Sequence, residues 1–210
     1  MPGKLVLIGC GPGGVDLLTM RAARRIAEAD LVLYDRLVDP EVVALAGEGV
    51  ECRYVGKGCS DGGVQQADIN TRLRAALLEG RVVARLKSGD PMVFGRAAEE
   101  IAVAAETGAA VEIVPGVTAG LAAASDALIT VTERAELQSF VMTTGRAAES
   151  DATPDWASIV KPGVCAAFYM GVAQAWRIQS VLMRAGVPGN APADWIERAG
   201  QADVRNIPTR

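Results

Sequence analysis

Short apolar runs alternate with longer amphipathic stretches along the first half of this chain, and each run ends in a glycine or a charged residue. Residues 5–8 form such a run, stopping at Gly9 and followed by a helical pattern over about 17–29. A second run, 31–34, stops at Asp35-Arg36, after which Asp39 and Pro40 read as the N-cap and first position of a short helix to Ala46. Residues 51–55 predict a third strand ending at Gly56-Lys57. The helix that follows, over about 66–79, places Ile69, Leu73, Leu77 and Leu78 on one face. Residues 81–86 and 111–114 are the fourth and fifth strands, with a helix over about 97–106 between them. Apolar strands separated by helices predict an α/β fold whose parallel sheet is covered on both sides.

Past Pro115-Gly116 the pattern changes, so a domain boundary is expected there, dividing the chain into 1–115 and 116–210. Small residues fill 118–125, a closely packed helix. Further strands are expected over 139–143, 164–170 and, more weakly, 191–196. A helix carrying Ile178, Val181, Leu182 and Ala185 falls between the last two, and 147–154 reads as a surface loop.

Composition narrows the chemistry. Half of the 210 residues are hydrophobic and only 4% aromatic, which is enough aliphatic material for a substantial core. The formal charge of −4 argues against a general nucleic-acid binder. There is no histidine, and the four cysteines (Cys10, Cys52, Cys59, Cys165) are scattered, which disfavours metal sites and histidine-dependent catalysis. Free thiols, the lack of a leader and the lack of a long apolar segment make a cytoplasmic protein with no membrane partner the expectation.

Two segments carry candidate chemistry. Gly9-Cys10-Gly11-Pro12-Gly13-Gly14 matches the dinucleotide pattern G-x-G-x-x-G, and Asp35 lies near the expected offset of about 20 residues for a ribose-binding carboxylate. Pro12 weakens that reading by removing an N–H from the turn that should donate to phosphate, as does the late start of the helix. The second segment, Arg85-Leu-Lys-Ser-Gly-Asp-Pro-Met-Val-Phe-Gly-Arg96, joins a strand to a helix through a small-residue turn. Either Asp90 caps that helix with Pro91 behind it, or the turn is a ligand loop at a strand end.

Seven pieces in order decide between these readings: Gly9-Cys-Gly-Pro-Gly13, Leu33-Tyr-Asp-Arg-Leu-Val38, Tyr54-Val-Gly-Lys57, Gln66-Ala-Asp-Ile-Asn70, the 85–96 segment, Val114-Pro-Gly-Val-Thr-Ala119 and Tyr169-Met-Gly171. Together they resemble the tetrapyrrole methylases, and within them the branch that methylates uroporphyrinogen III at carbon. The resemblance implies two α/β domains with a cleft between them for S-adenosylmethionine (SAM), in a homodimer acting on a tetrapyrrole. It implies that Pro12, Ser88, Gly89, Asp90, Val93, Thr118, Ala119, Met170 and Ala199 bind SAM. It also implies that Asp35 accepts a proton and Lys57 donates one. The expected product is precorrin-2, formed through precorrin-1, on the way to sirohaem or cobalamin.

The residues are suited to that chemistry. A sulfonium donor is already electrophilic, so alignment is the main task and no metal is needed. Attack by a ring carbon must be followed by loss of a proton, which a strand-end carboxylate such as Asp35 can take; the same carboxylate could instead pair with Arg36 or cap a turn. A polycarboxylate acceptor calls for cations, and Arg36, Lys57, Lys87, Arg96 and Arg134 are the candidates near strand ends. Met170 is expected either to press against the adenosine or to fill the core.

Some positions depart from the family pattern. Gly14, Gly58, Ala97-Ala98, Glu133, Ser88 and Ala199 stand where relatives carry Asp, Arg, Gly-Gly, His, Gly and Gly. Gly58 and Glu133 should make the acceptor site less basic. The chain stops at Arg210, where relatives continue through another helix and strand, so the second domain is expected to be incomplete. A sister methylase with another precorrin acceptor and a catalytically weak homologue are the competing expectations.

Overall fold

The computed structural model describes residues 2–56, 66–146 and 154–209. The chain divides into two compact units, Met1–Ala119 with Gly200–Ala202, and Gly120–Ala199 with Asp203–Arg210. The division thus falls just past Pro115-Gly116.

The first unit is built on a five-stranded parallel sheet: β1 (Lys4–Gly9), β2 (Leu31–Tyr34), β3 (Glu51–Tyr54), β4 (Val82–Lys87) and β5 (Ala110–Val114), in the order β3-β2-β4-β1-β5. Its helices are α1 (Met20–Ala27), α2 (Pro40–Val43), α3 (Gln66–Leu78) and α4 (Ala97–Thr107). Successive strand side chains point to opposite faces, so each apolar run feeds two cores. Leu5, Leu7, Leu31 and Leu33 pack with Ile69, Leu73 and Leu77 of α3 and Val103 and Ala104 of α4. Val6, Ile8, Val32 and Leu86 pack on the other side with Ala22 and Ile26 of α1 and Val42 of α2. That is why these strands are apolar throughout rather than alternating.

Three local details differ from the sequence expectation. Helix α1 begins only at Met20, where the Thr19 hydroxyl accepts the Ala22 amide at 3.1 Å; residues 15–17 form a 3-10 turn instead. Asp39 does cap α2, accepting the Glu41 amide at 2.8 Å with Pro40 behind it, but that helix ends at Val43. Leu78 is 68% exposed rather than in the core, because it lies nine residues from Ile69 and so on the opposite side of α3.

The second unit contains α5 (Ala119–Asp126), β6 (Ser139–Thr144), α6 (Trp156–Ile159), β7 (Val164–Tyr169), α7 (Ala175–Arg184), β8 (Ala193–Glu197) and β9 (Arg205–Thr209). Strands β6 and β7 pair in parallel, and β8 and β9 form a separate antiparallel ribbon. Trp156 is buried, donates Nε1–H to the Thr144 carbonyl at 3.2 Å and meets Phe168 edge-on at 6.3 Å. Of α7, only Ile178 is buried. The loop expected over 147–154 lies, apart from Pro154, outside the described residues.

Candidate functional site

Parallel strands deliver their connections to one edge of the sheet, and in the first unit that edge carries the loops after β1, β4 and β5. Backbone contacts bring these loops together. The Gly11 amide donates to the Gly89 carbonyl at 3.2 Å, and the Gly89 amide returns a bond to the Gly11 carbonyl at 2.7 Å. A Cβ on Gly9 would lie 2.5 Å from the Gly116 nitrogen, and one on Gly116 would overlap the Gly89 carbonyl. Gly9 and Gly116 therefore touch main chain to main chain with the Gly89 carbonyl against both, and a Cβ on Gly9 or Gly116 would force the loops apart. Gly89 also has φ +72°, and a Cβ added there would meet the backbone of Thr118 and Ala119 at ordinary van der Waals distance.

Asp90 fixes this arrangement. Its Oδ1 accepts the Met92 amide at 2.8 Å and its Oδ2 accepts the Gly116 amide at 3.0 Å, tying the β4 loop to the β5 loop. It does not cap α4, whose N-cap is Arg96 at φ +54° with no side-chain cap. Val93 continues the same turn, its amide donating to the Asp90 carbonyl at 3.1 Å. Ser88 is not among the residues at positive φ, and its hydroxyl donates to the Gly11 carbonyl at 3.4 Å. Pro12 lies on the far side of the β1 loop, where Gly200 packs against its ring so closely that a Cβ at Gly200 would lie 2.9 Å from Cγ. The dinucleotide reading loses its main support here. The glycine loop is followed by a 3-10 turn and α1 starts at Met20, so no α-helix N-terminus is seated on the glycines.

Six of the expected cofactor residues, Ser88, Gly89, Asp90, Val93, Thr118 and Ala119, are thus gathered on the β4 and β5 loops, and Pro12 joins them on the β1 loop. Met170 and Ala199 belong to the second unit. Met170 is half-exposed at φ +54° and borders a hollow of about 450 Å³ with Arg146, Ala173 and Gln174.

Asp35 follows β2 on the same sheet edge. Its carboxylate is partly open to solvent and is held by Arg85, whose Nη2 donates to Oδ1 at 2.6 Å; the partner is not Arg36. Arg85 itself is 1% exposed. Its Nε donates to Glu100 Oε1 at 3.0 Å and its Nη1 to the Leu86 carbonyl at 2.9 Å. Lys87, two residues on, donates to the same Glu100 oxygen at 3.1 Å, and Gln66 reaches it at 3.4 Å. Glu100 Oε2 lies 3.1 Å from the Lys87 ammonium but accepts no directed hydrogen bond. Burial pulls the Arg85 guanidinium down, yet Glu100 and Asp35 outweigh it and leave it raised. Lys87 is lowered, by burial first and by Arg85 second.

The expected acceptor-binding cations fall into two groups. Arg36, Arg96 and Arg134 are exposed, with Arg96 clamped to Glu99 at 2.6 and 2.8 Å. Lys87 is 5% exposed and committed to Glu100, so an acceptor carboxylate would have to displace a buried partner to reach it. Lys57, with Gly58, lies outside the described residues. Arg85 and Glu100 were not singled out from sequence. The signal was there: an arginine inside an apolar strand, and a glutamate on the Ala97–Val103–Ala104 stripe of α4.

These loops and this carboxylate lie together at the strand ends of one parallel α/β sheet. The family profile described as Tetrapyrrole (Corrin/Porphyrin) Methylases matches residues 4–210. The chain is 41% identical over 205 residues to a siroheme synthase of Chromobacterium violaceum, a match covering 98% of this chain and 44% of that protein. It superposes on the uroporphyrin-III C-methyltransferase of Thermus thermophilus, solved with S-adenosylhomocysteine, with TM-score 0.84 at 36% identity. That superposition covers 99% of this chain and 83% of the other. A cobalt precorrin-4 methyltransferase superposes with TM-score 0.83 at 25% identity, covering 98% of this chain and 84% of the other. This chain belongs to the tetrapyrrole methylase family. It spans less than half the length of the siroheme synthases it matches.

Proposed function

We propose that this chain is a SAM-dependent C-methyltransferase that converts uroporphyrinogen III to precorrin-2 through precorrin-1. The observation that carries the reading is the close meeting of the β1, β4 and β5 loops at Gly9, Gly89 and Gly116, with Thr118 and Ala119 on the same edge of the sheet. A strand-end edge built of main chain suits a polar cofactor gripped by amides and carbonyls rather than by side chains. SAM would lie against the loops of Pro12, Ser88–Asp90, Val93 and Thr118–Ala119, and it supplies an electrophilic methyl on a positive sulfur. The solved Thermus relative with S-adenosylhomocysteine supports this choice of cofactor.

In this reading a ring carbon of the acceptor forms the new C–C bond as the methyl–sulfur bond breaks, and Asp35 takes the proton the ring then releases. Its position at the end of β2, partly open and oriented by Arg85, suits that task. Arg36, next to Asp35, is the exposed cation that would meet an acceptor carboxylate, and Arg96 would have to exchange Glu99 for one. The chain would work as a cytoplasmic homodimer with no metal.

Incubation with SAM and uroporphyrinogen III should give a product carrying two added methyl groups, together with S-adenosylhomocysteine. Turnover of another precorrin but not of uroporphyrinogen III would favour a sister methylase. The cobalt precorrin-4 methyltransferase fold match keeps that second reading in play. Saturable SAM binding without transfer to any of these acceptors would contradict both.

A further inference from the structure

A buried glutamate that touches two cations is unusual enough to need an explanation, and the proposed proton acceptor lies at the far end of the same chain of hydrogen bonds. Glu100 is fully buried on α4, and its Oε1 receives Arg85 Nε, Lys87 Nζ and Gln66 Nε2. Arg85 spends its remaining donors on the Leu86 carbonyl and on Asp35. The guanidinium is planar and its donors form a fixed fork, so holding Nε on Glu100 sets the direction in which Nη2 points. We infer that Glu100 is a positioning residue for methyl transfer: through Arg85 it aims the Asp35 carboxylate at the acceptor, with Lys87 as its second cationic partner.

This inference rests on the reading of Asp35 as proton acceptor. Its physical content is a charge balance. Two carboxylates and two cations share the cluster, with Asp35 from the end of β2, Arg85 and Lys87 from β4, Glu100 from α4, and the neutral Gln66 amide from α3. Without the glutamate, a buried arginine and a buried lysine would face each other with Asp35 as their one carboxylate. Arg85 would then keep only the Leu86 carbonyl as an inner anchor, and Asp35 would be held by a less constrained partner. The Lys87 side chain, expected from sequence to meet substrate, thereby takes on a different task.

Glu100→Gln keeps the shape and removes the charge, and Lys87→Met/Glu100→Gln restores neutrality in case the single variant folds poorly. Either should lower kcat roughly 10- to 100-fold, the cost of misplacing a reacting group by about 1 Å. The KM for SAM should not change. Combining Glu100→Gln with Asp35→Asn should add no further decrease, since the glutamate acts through the aspartate. In crystal structures of the Glu100 variants, the Arg85–Asp35 hydrogen bond, 2.6 Å in the native chain, should be broken, a readout independent of turnover. An intact Arg85–Asp35 hydrogen bond, a wild-type kcat in a folded variant, or rate decreases that simply multiply would overturn the inference. Asp35→Asn at full rate would instead sink the underlying reading of Asp35.

Discussion

Two neighbouring regions of the first unit are built on opposite principles. Where Gly9, Gly89 and Gly116 meet, function is offered by what is missing: three loops come together because none carries a side chain there. At the Asp35–Arg85–Glu100–Lys87 cluster everything depends on side chains, four charged groups held between β2, β4 and α4. Both regions draw on the end of β4. The comparison shows that a sheet edge can supply a shape-defined surface and a charge-defined one within a few residues of β4, from Arg85 to Asp90. It also separates two kinds of fragility: one additional carbon ruins the first, and one missing charge ruins the second.

The sharpest way to break the comparison is at Gly116. Its Cβ would overlap the Gly89 carbonyl, main chain that has no rotamer to relax. Gly116→Ala should therefore cost about 3 kcal/mol or more of stability by overpacking. It should also abolish measurable SAM binding, read by denaturant melts and by calorimetry on the folded fraction. Of similar size, but by the other route, Glu100→Ala should destabilise by about 3–5 kcal/mol, since it strands Arg85 and Lys87 in the interior. An equally stable Glu100→Ala protein would show that water reaches the cluster.

A smaller effect tests the floor of the glycine cradle. Cys10, between Gly9 and Gly11, is buried, and desolvation pushes its thiol up to about 12. It should resist alkylation in the native state at a pH where exposed Cys52 reacts. The linkage runs in one direction. A thiol raised above its unfolded value of 9.0 keeps its proton longer in the folded chain, so its contribution to stability is full below pH 9 and falls as pH rises toward 12. Melts between pH 8 and about 11, compared with Cys10→Ala, isolate it.

The smallest expected effect is at Ser88. Because its backbone is not at positive φ and its hydroxyl bonds Gly11, Ser88→Gly should leave SAM affinity within about twofold. A large increase in affinity would mean that the serine crowds the cradle after all.

How much of this was legible in the chain depends on which physics wrote it. Strands β1, β2 and β4 stand out as apolar runs because both faces are buried, and the Asp39-Pro40 helix start follows from its own chemistry. The late start of α1 did not show, since the periodic pattern begins before Thr19 and the 3-10 turn at 15–17 imitates a helical one. Strand β9 was invisible because Arg205–Thr209 is polar and carries Pro208. The site divides in the same way. The glycine loops were recognisable as motifs, while the pairing of Asp35 with Arg85 instead of Arg36, and the burial of Lys87 on Glu100, depend on which strands are neighbours. Strand order is a property of the fold, not of spacing along the chain.

The central claim is that the glycine-built edge of the first unit is a SAM site. Calorimetric titration of the purified chain with S-adenosylhomocysteine, run beside Asp35→Asn and the folded fraction of Gly116→Ala, tests it most directly. The account predicts saturable binding by the wild-type chain, unchanged in Asp35→Asn and abolished in Gly116→Ala. No binding by the wild-type chain, or binding undiminished in Gly116→Ala, would contradict it.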